Sequence, residues 1–212
     1  RFCKDLNCKN FASFKHEMAI SLEIARDEIH VDPHDYTEII KQPQYLVDKM
    51  YQETIASLQL VHQSINIHSI DQICHMIYNA KKVHMIGYQF NKIISNDFQM
   101  KMLKLKKFVY AFVERGDEIQ RLDMIDEDSL VIIITVRARK QFMAPLLEKI
   151  HEHNPQILLI TMNKEFQNDL IDFTYCIDGT ESDYTESSMQ GTINFLSLLN
   201  LIYVRYGLLY RK

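Results

Sequence analysis

Three basic side chains at the start of one predicted helix give the clearest chemical signal in the sequence. They are Arg137, Arg139 and Lys140. A helix N-terminus already carries about half a positive charge, so each added cation costs roughly 0.3–1 kcal/mol unless an anion lies nearby. Arginine binds phosphate through paired hydrogen bonds. The turn therefore predicts an anion site, and the alternative is a solvated loop whose long side chains extend into water.

Two hydroxyl side chains, Ser187 and Ser188, precede the last predicted helix. Either one can accept hydrogen bonds from the first turn as an N-cap, which by itself explains a serine at this position. The functional alternative is that the same hydroxyl also donates to a ligand oxygen. We keep both serines as candidate ligand contacts.

Other chemistries have little support. The loop after the first predicted strand holds one glycine, Gly87, whereas a dinucleotide site needs several. No nucleophile–base pair or carboxylate pair is evident, so we expect neither catalysis nor a cofactor. The four cysteines form no C-x-x-C pair and indicate reduced thiols. One cluster in a predicted linker lacks further ligands at metal spacing, and it comprises His30, Asp32, His34 and Asp35.

A parallel sheet would bring the candidate residues to one edge. Five apolar runs alternate with helical segments after Lys82, and four of them are unbroken, which is typical of parallel strands covered on both faces. The predicted strands are Val83–Ile86, Phe108–Val113, Leu130–Thr135, Ile157–Met162 and Phe173–Ile177. Right-handed β-α units then give an α/β fold, a doubly wound sheet of about five strands. Ligands bind beyond the carboxyl ends of such strands.

Helices are predicted before and between these strands. They cover Asn10–Glu28, Gln44–Ile65, Ser69–Ala80, Phe90–Lys106, Gln120–Ile125, Lys140–His153, Phe166–Ile171 and Ser188–Leu209. Ser69 is the predicted N-cap of the third, from which Ile70, Ile73, Ile77 and Tyr78 are predicted to face inward. The last helix is apolar nearly all round. Because one domain surface cannot bury every side of it, we expect a homodimer or a higher oligomer.

Composition indicates a soluble, cytoplasmic globular protein, with 47% apolar and 25% charged residues. The most apolar stretch, Phe195–Val204, is about half the ~20 residues that a membrane span needs, so no membrane contact is expected. A formal charge of −4 excludes nucleic-acid binding by bulk electrostatics. Residues 1–16 nevertheless form a basic segment, in which Asp5 stands alone against Arg1, Lys4, Lys9 and Lys15.

The basic amino-terminal segment resembles a known family. Arg1-Phe2-Cys3-Lys4-Asp5-Leu6, followed by Phe11, Phe14 and Lys15, is similar to the end of the helix-turn-helix domain of RpiR-type transcription regulators, R-F-C-K-x-L-G-F-x-G-F-x-x-F-K. Asn7 and Asn10 replace its two glycines and tolerate the same left-handed backbone. From Lys82 onward the order of elements is similar to the SIS domain. The resemblance implies a helix-turn-helix remnant (1–29), a linker (30–43) and a SIS domain with N-terminal helices (44–212).

The resemblance also implies a sugar-phosphate effector site, although its motifs are altered here. Gly87 is kept from the family loop G-x-G-x-S, and Asn91 stands at its serine. In the phosphate loop S-x-S-G-x-T-x-E, the hydroxyl and glycine positions are occupied by Thr135, Arg137, Ala138 and Lys140. Such a site binds phosphate through arginine, binds another anion, or binds nothing. We expect an anionic ligand because three cations at a helix start are otherwise a cost.

The resemblance thus implies a DNA-binding transcription regulator and no enzyme. Its expected partners are DNA, an anionic effector such as a phosphosugar, and a second copy of the chain. The predicted effector contacts are Asn91, Thr135, Arg137, Arg139, Lys140, Ser187 and Ser188, and the predicted DNA contacts are Arg1 and Lys4. The alternatives are a sugar-phosphate isomerase and a module that has lost its ligand and only dimerises.

Overall fold

The computed structural model describes residues 41–87, 91–111, 122–180 and 189–211. The chain divides into two compact units, Arg1–Val47 with Ser182–Ser187, and Asp48–Glu181 with Ser188–Lys212. Nearly all of the described residues belong to the second unit. The predicted helix Asn10–Glu28, the predicted domain 1–29 and most of the predicted linker lie outside the described residues.

Five parallel strands form one sheet, as the sequence predicts. They are β1 (Lys82–Gly87), β2 (Val109–Ala111), β3 (Ser129–Thr135), β4 (Gln156–Thr161) and β5 (Phe173–Cys176). Their order across the sheet is β2-β1-β3-β4-β5, and every neighbouring pair is parallel. The predicted fold class, a doubly wound α/β sheet, is confirmed.

Five α-helices accompany the sheet in the described part of the chain. They are α1 (Pro43–Ser64), α2 (Ile67–Asn79), α3 (Asn91–Lys104), α4 (Lys140–His151) and α5 (Met189–Tyr210). The N-cap of α2 is Asn66, whose side chain accepts hydrogen bonds from the backbone N–H groups of His68 and Ser69, so the prediction of Ser69 as the cap is wrong. Of the predicted helix Gln120–Ile125, the described part forms a short 3₁₀ turn, Leu122–Met124.

The predicted helix Phe166–Ile171 is also wrong, because the segment is irregular with a turn at residues 169–170. The side chain of Asn168 accepts a hydrogen bond from the backbone N–H of Leu170 at 2.9 Å, and its carbonyl accepts one from Ile171 at 3.2 Å. A side chain that binds nearby backbone in this way competes with helix formation. The apolar residues of the segment pack against the core from this turn.

Each face of the sheet buries its own apolar cluster. One cluster joins β-strand residues to α2, α3 and α5, with Ile73, Phe98 and Phe195 among its largest fully buried side chains. The other joins Val131 and Leu159 to α4 and to the 3₁₀ turn. This double coverage explains why the strands read as unbroken apolar runs.

The outward sides of α1 and α5 are partly apolar. On α1, Tyr51 is 69% exposed and Val47 is 45% exposed. On α2, Ile70, Ile73 and Ile77 are buried as predicted, whereas Tyr78 is 52% exposed, so its predicted inward orientation is wrong. In the described part of the chain, α5 is the one helix long and apolar enough to cross a membrane by length and composition alone. Core helices pass the same test, and α5 contributes Phe195, Leu198 and Ile202 to the core.

Candidate functional site

The sheet reverses its direction of growth between β1 and β3. From β1 the chain passes to β2 at one edge, whereas β3, β4 and β5 extend towards the other edge. The carboxyl ends of β1 and β3 lie side by side, with Gly87 paired to Ile134. Open α/β sheets bind ligands in the crevice beyond such a reversal. The predicted site residues that follow these two strands therefore stand at the expected place.

The first turn of α3 packs directly against the end of β1. A Cβ atom on Gly87 would lie 2.5 Å from the Asn91 carbonyl oxygen and 2.6 Å from Ser95 Oγ, so only glycine fits there. Asn91 is 6% exposed, and its buried Oδ1 has no hydrogen-bond donor among the residues that the structure describes. Because an unsatisfied buried acceptor is costly, its presence beside the reversal of the sheet fits a donor group on a ligand.

The turn after β3 is held by the end of β4. The carbonyl of Val136 accepts hydrogen bonds from the Met162 N–H at 3.2 Å and from the Thr161 hydroxyl at 3.1 Å. The Asn163 amide donates to the carbonyl of Arg137 at 2.7 Å. These three bonds fix the backbone of the turn without using its own side chains.

Within the turn, Ala138 occupies the position of the family glycine. Its φ is 44°, in the left-handed region, and it is 1% exposed. The Thr135 Oγ1 accepts from the Ala138 N–H at 3.3 Å, so this predicted effector contact also closes the turn. Its hydroxyl hydrogen can still be donated to a ligand.

The three cations lie on the outer side of this turn. Arg137 and Lys140 are exposed and Arg139 is half-buried. Arg139 is the N-cap residue of α4, and its side chain makes no capping hydrogen bond. The first-turn N–H groups of α4 thus add to the positive potential of the turn. Exposed cations suit an open anion site and a solvated loop alike.

The structure brings five of the seven predicted effector residues to the carboxyl edge of the sheet. The other two, Ser187 and Ser188, lie outside the described residues, as do the predicted DNA contacts Arg1 and Lys4. A separate apolar depression of about 160 Å³ at the β2 edge is lined by Gln99, Leu103, Phe108, Val109 and Tyr110. Within the described ranges, no group of three or more His, Cys, Asp or Glu side chains is placed to hold a metal ion.

Buried polar residues are what the sequence reasoning missed. Ser57, His84 and Asn194 are each at most 1% exposed. Burial, aided by the positive charge of Lys82 and opposed by Asp126, lowers the pKa of His84 to about 4. The available signal was a polar residue inside an apolar strand or on the buried stripe of a helix.

Comparisons with known proteins agree with this architecture. Residues 76–202 match the SIS domain family. The chain is 18% identical over 207 residues to an uncharacterized HTH-type transcriptional regulator of Clostridium perfringens, covering 96% of this chain and 72% of that protein. It is 20% identical over 164 residues to the HTH-type transcriptional regulator HexR of Escherichia coli, covering 76% of this chain. The match spans 54% of HexR, about half its length.

Solved structures show the same fold. The sugar isomerase domain of an RpiR transcription factor from Sphaerobacter thermophilus has a TM-score of 0.66 at 15% identity, covering 77% of this chain and 90% of that one. Vibrio vulnificus NanR complexed with ManNAc-6P has a TM-score of 0.66 at 14% identity, covering 98% and 72%. A phosphoheptose isomerase from Francisella tularensis reaches 0.61 at 12% identity, covering 78% and 98%.

The resemblance to RpiR-type regulators with a SIS domain is confirmed by these findings. The family match covers more than half of the chain and includes β1 to β5 and most of α5. The chain belongs to the SIS domain family.

Proposed function

We propose that this chain is the sensory part of a cytoplasmic transcription regulator whose SIS domain binds a sugar phosphate in the crevice beyond β1 and β3. The observation that carries the proposal is the basic turn itself. Its backbone is fixed by β4, and it holds Arg137, Arg139 and Lys140 at the amino end of α4, beside the reversal of the sheet. The matched relatives are HTH-type regulators, and NanR was solved with a phosphosugar.

The two sides of the crevice have different tasks in this proposal. The basic turn binds the phosphate, since guanidinium groups and free helix N–H groups both favour that anion. The buried Oδ1 of Asn91 accepts a hydrogen bond from a sugar hydroxyl. Thr135, Ser187 and Ser188 supply hydroxyl donors to the same ligand. A cationic side and an acceptor side together fit a molecule that is anionic at one end and hydroxylated at the other.

A homodimer would connect the effector to DNA. The outer side of α5 exposes Val204 at 54% and Leu208 at 74%, and a second copy of the chain would cover them. A two-fold dimer presents two DNA-binding heads to half-sites about one helical turn apart. In this arrangement Arg1 and Lys4 contact DNA phosphates, and the effector changes the spacing of the heads.

A sugar-phosphate isomerase is the second candidate, because the fold is shared with a phosphoheptose isomerase. The altered phosphate loop argues against it, since Arg137 and Lys140 stand where the family has hydroxyls and Ala138 stands where it has a glycine. The third candidate, a module that only dimerises, has lost ligand binding altogether. An isomerase assay on ketose and aldose phosphates tests the second candidate, and a binding assay tests the third.

Calorimetric titration of the full-length protein with phosphosugars, ManNAc-6P and arabinose 5-phosphate among them, tests the proposal. Lys140→Ala and Lys149→Ala are matched variants, since both residues are exposed lysines at opposite ends of α4. A charged hydrogen bond is worth roughly 1.5–3 kcal/mol, so Lys140→Ala is expected to weaken binding about 10- to 100-fold. Lys149→Ala is expected to bind as wild type does.

Two results contradict the proposal. One is the absence of binding by every phosphosugar to the wild-type protein, which favours the module that only dimerises. The other is equal affinity in the Lys140→Ala and Lys149→Ala variants, which places the ligand away from the basic turn. Turnover of any phosphosugar by the wild-type protein favours the isomerase.

A further inference from the structure

We infer that Ser57 is a positioning residue of the effector site, because it couples helix α1 to the segment that leaves β5. That segment, residues 178–180, packs at Gly179 against Met162, whose backbone N–H donates to the Val136 carbonyl in the basic turn of the effector site. The inference therefore rests on the proposed function and adds how ligand binding is communicated. The contacts that carry it all lie among the described residues 48–180 and 189–211.

The Ser57 hydroxyl joins three parts of the fold. It is 0% exposed and donates to the Thr180 carbonyl oxygen at 3.2 Å. It accepts from the Thr180 N–H at 3.0 Å and from the Asn194 amide on α5 at 2.8 Å. A hydroxyl offers one donor and two acceptor positions, so all of its hydrogen-bonding capacity is used.

Two further hydrogen bonds lie beside these, one at the end of α1 and one at the N-cap of α2. The Ser64 Oγ accepts from the Asp178 N–H at 3.3 Å, and the Tyr175 hydroxyl accepts from the Asn66 N–H at 3.4 Å. As the chain runs outward from β5 to Thr180, its partners run backward from Asn66 through Ser64 to Ser57. The segment therefore runs antiparallel to α1 and is hydrogen-bonded to it at Ser64 and at Ser57, while Tyr175 of β5 is bonded to Asn66, the N-cap of α2.

Gly179 is closely packed at this junction. A Cβ atom there would collide with Asn194 Nδ2, which is held by Ser57, and would lie 2.8 Å from the Met162 Cε. A packed interior does not deform continuously. A displacement of residues 178–180 must therefore break the Ser57 hydrogen bonds or move α1 with it.

Helix α1 is a suitable receiver of such a displacement. It begins at Pro43, and the sequence before it is the predicted linker and the predicted helix-turn-helix remnant. Because the residues before Pro43 are covalently joined to α1, a shift of α1 also moves the point at which they are attached. In this inference, Ser57 passes a displacement of residues 178–180 on to α1, in addition to stabilising the fold.

Hydrogen–deuterium exchange of the full-length protein tests the coupling, with Ser57→Ala and Thr54→Ala as matched variants. Thr54 lies one turn earlier on α1, and its hydroxyl donates at 2.8 Å to the Met50 carbonyl of its own helix. Without ligand, Ser57→Ala is expected to speed exchange about tenfold at Thr180 and in the α1 peptide 48–60. Thr54→Ala is expected to leave exchange at Thr180 unchanged.

A second arm separates coupling from stability, with ManNAc-6P and arabinose 5-phosphate as probes. In wild-type protein, the bound phosphosugar is expected to protect both the 175–180 peptide and the α1 peptide. In Ser57→Ala, the 175–180 peptide is still protected and the α1 peptide is not. If Ser57 contributed only to stability, its substitution would change the ligand protection of the 175–180 peptide and of the α1 peptide by the same factor.

The outcomes separate this inference from the proposed function. If no phosphosugar protects any wild-type peptide, the proposed function fails, and the ligand-free comparison still decides whether Ser57 couples Thr180 to α1. Ligand-free exchange that is the same in Ser57→Ala as in wild type overturns the inference, and so does ligand protection of α1 that survives in that variant. If Ser57→Ala does not fold, Ser64→Ala removes the neighbouring contact to Asp178 at a half-buried position and is held to the same criteria.

Discussion

Acidification is expected to destabilise the SIS domain through His84. This histidine lies in the middle of β1 and is 1% exposed. Its ring stacks on that of Tyr110, with the centroids 5.6 Å apart, and in the sheet it stands between Tyr110 on β2 and Val131 on β3. Burial lowers its pKa from 6.5 to about 4, with a smaller contribution from Lys82. The folded protein therefore holds the imidazole neutral over a pH range in which the unfolded chain is protonated.

The magnitude follows from this difference in pKa. Stability is full above pH 6.5 and is lost as the pH falls towards 4, because the unfolded state binds the proton first. At pH 5 the expected loss is about 2 kcal/mol, and the whole shift corresponds to about 3 kcal/mol. Other groups that titrate in this range change the total, so the difference between wild type and a variant isolates His84.

Urea unfolding at pH 7.5 and pH 5.0 measures that difference, with His84→Phe as the variant. Phenylalanine keeps an aromatic ring against Tyr110 and removes the ionisable group. With a urea slope of roughly 1–3 kcal/mol per molar, the wild-type midpoint is expected to fall about 1 M further than that of the variant on acidification. Equal shifts in the two proteins would show that burial of this imidazole does not govern the acid response, and the reasoning from its environment would be wrong.

Two further changes test the crevice itself by thermal unfolding. Gly87→Ala is expected to cost about 1–3 kcal/mol, because the new Cβ would lie 2.5 Å from the backbone oxygen of Asn91, and a wild-type melting temperature would disprove that close approach. Ala138→Val is expected to cost about 2 kcal/mol or more, because a β-branched residue is placed at a φ of 44° in a buried turn. Ala144→Val, in the helical interior of α4, is its control, and an equal loss in both variants would refute the role of the backbone angle.

The strands could be predicted because their signal is local. The runs Leu130–Thr135 and Ile157–Met162 are apolar without a break, and the structure places β3 and β4 there. The segment Phe166–Ile171 has apolar residues at helical spacing as well, yet Asn168 binds the backbone and a turn results. Periodicity alone does not reveal which polar side chain will take the backbone hydrogen bonds that a helix would need. The same limit explains the cap of α2, where Asn66 and Ser69 are both suitable residues.

The candidate site was predictable in position and only partly in composition. The basic turn could be placed because residues after a buried parallel strand lie at the carboxyl edge of the sheet. The junction of Ser57 with Thr180 and Asn194 had no local signal, since its partners are 123 and 137 residues away in sequence. A serine on one helix and an asparagine on another are each unremarkable until the fold brings them together.

The bonds from β4 to the carbonyls of Val136 and Arg137 have a consequence for how this domain can diverge. The path of the main chain through the turn is held by groups at the end of the neighbouring strand β4 and, within the turn, by the Thr135 hydroxyl. The exposed positions 137 and 140 can therefore exchange a hydroxyl for a cation while the backbone keeps its path. A lineage of such sensors can therefore acquire a new signal molecule by exchanging a few projecting groups, without having to evolve a new loop.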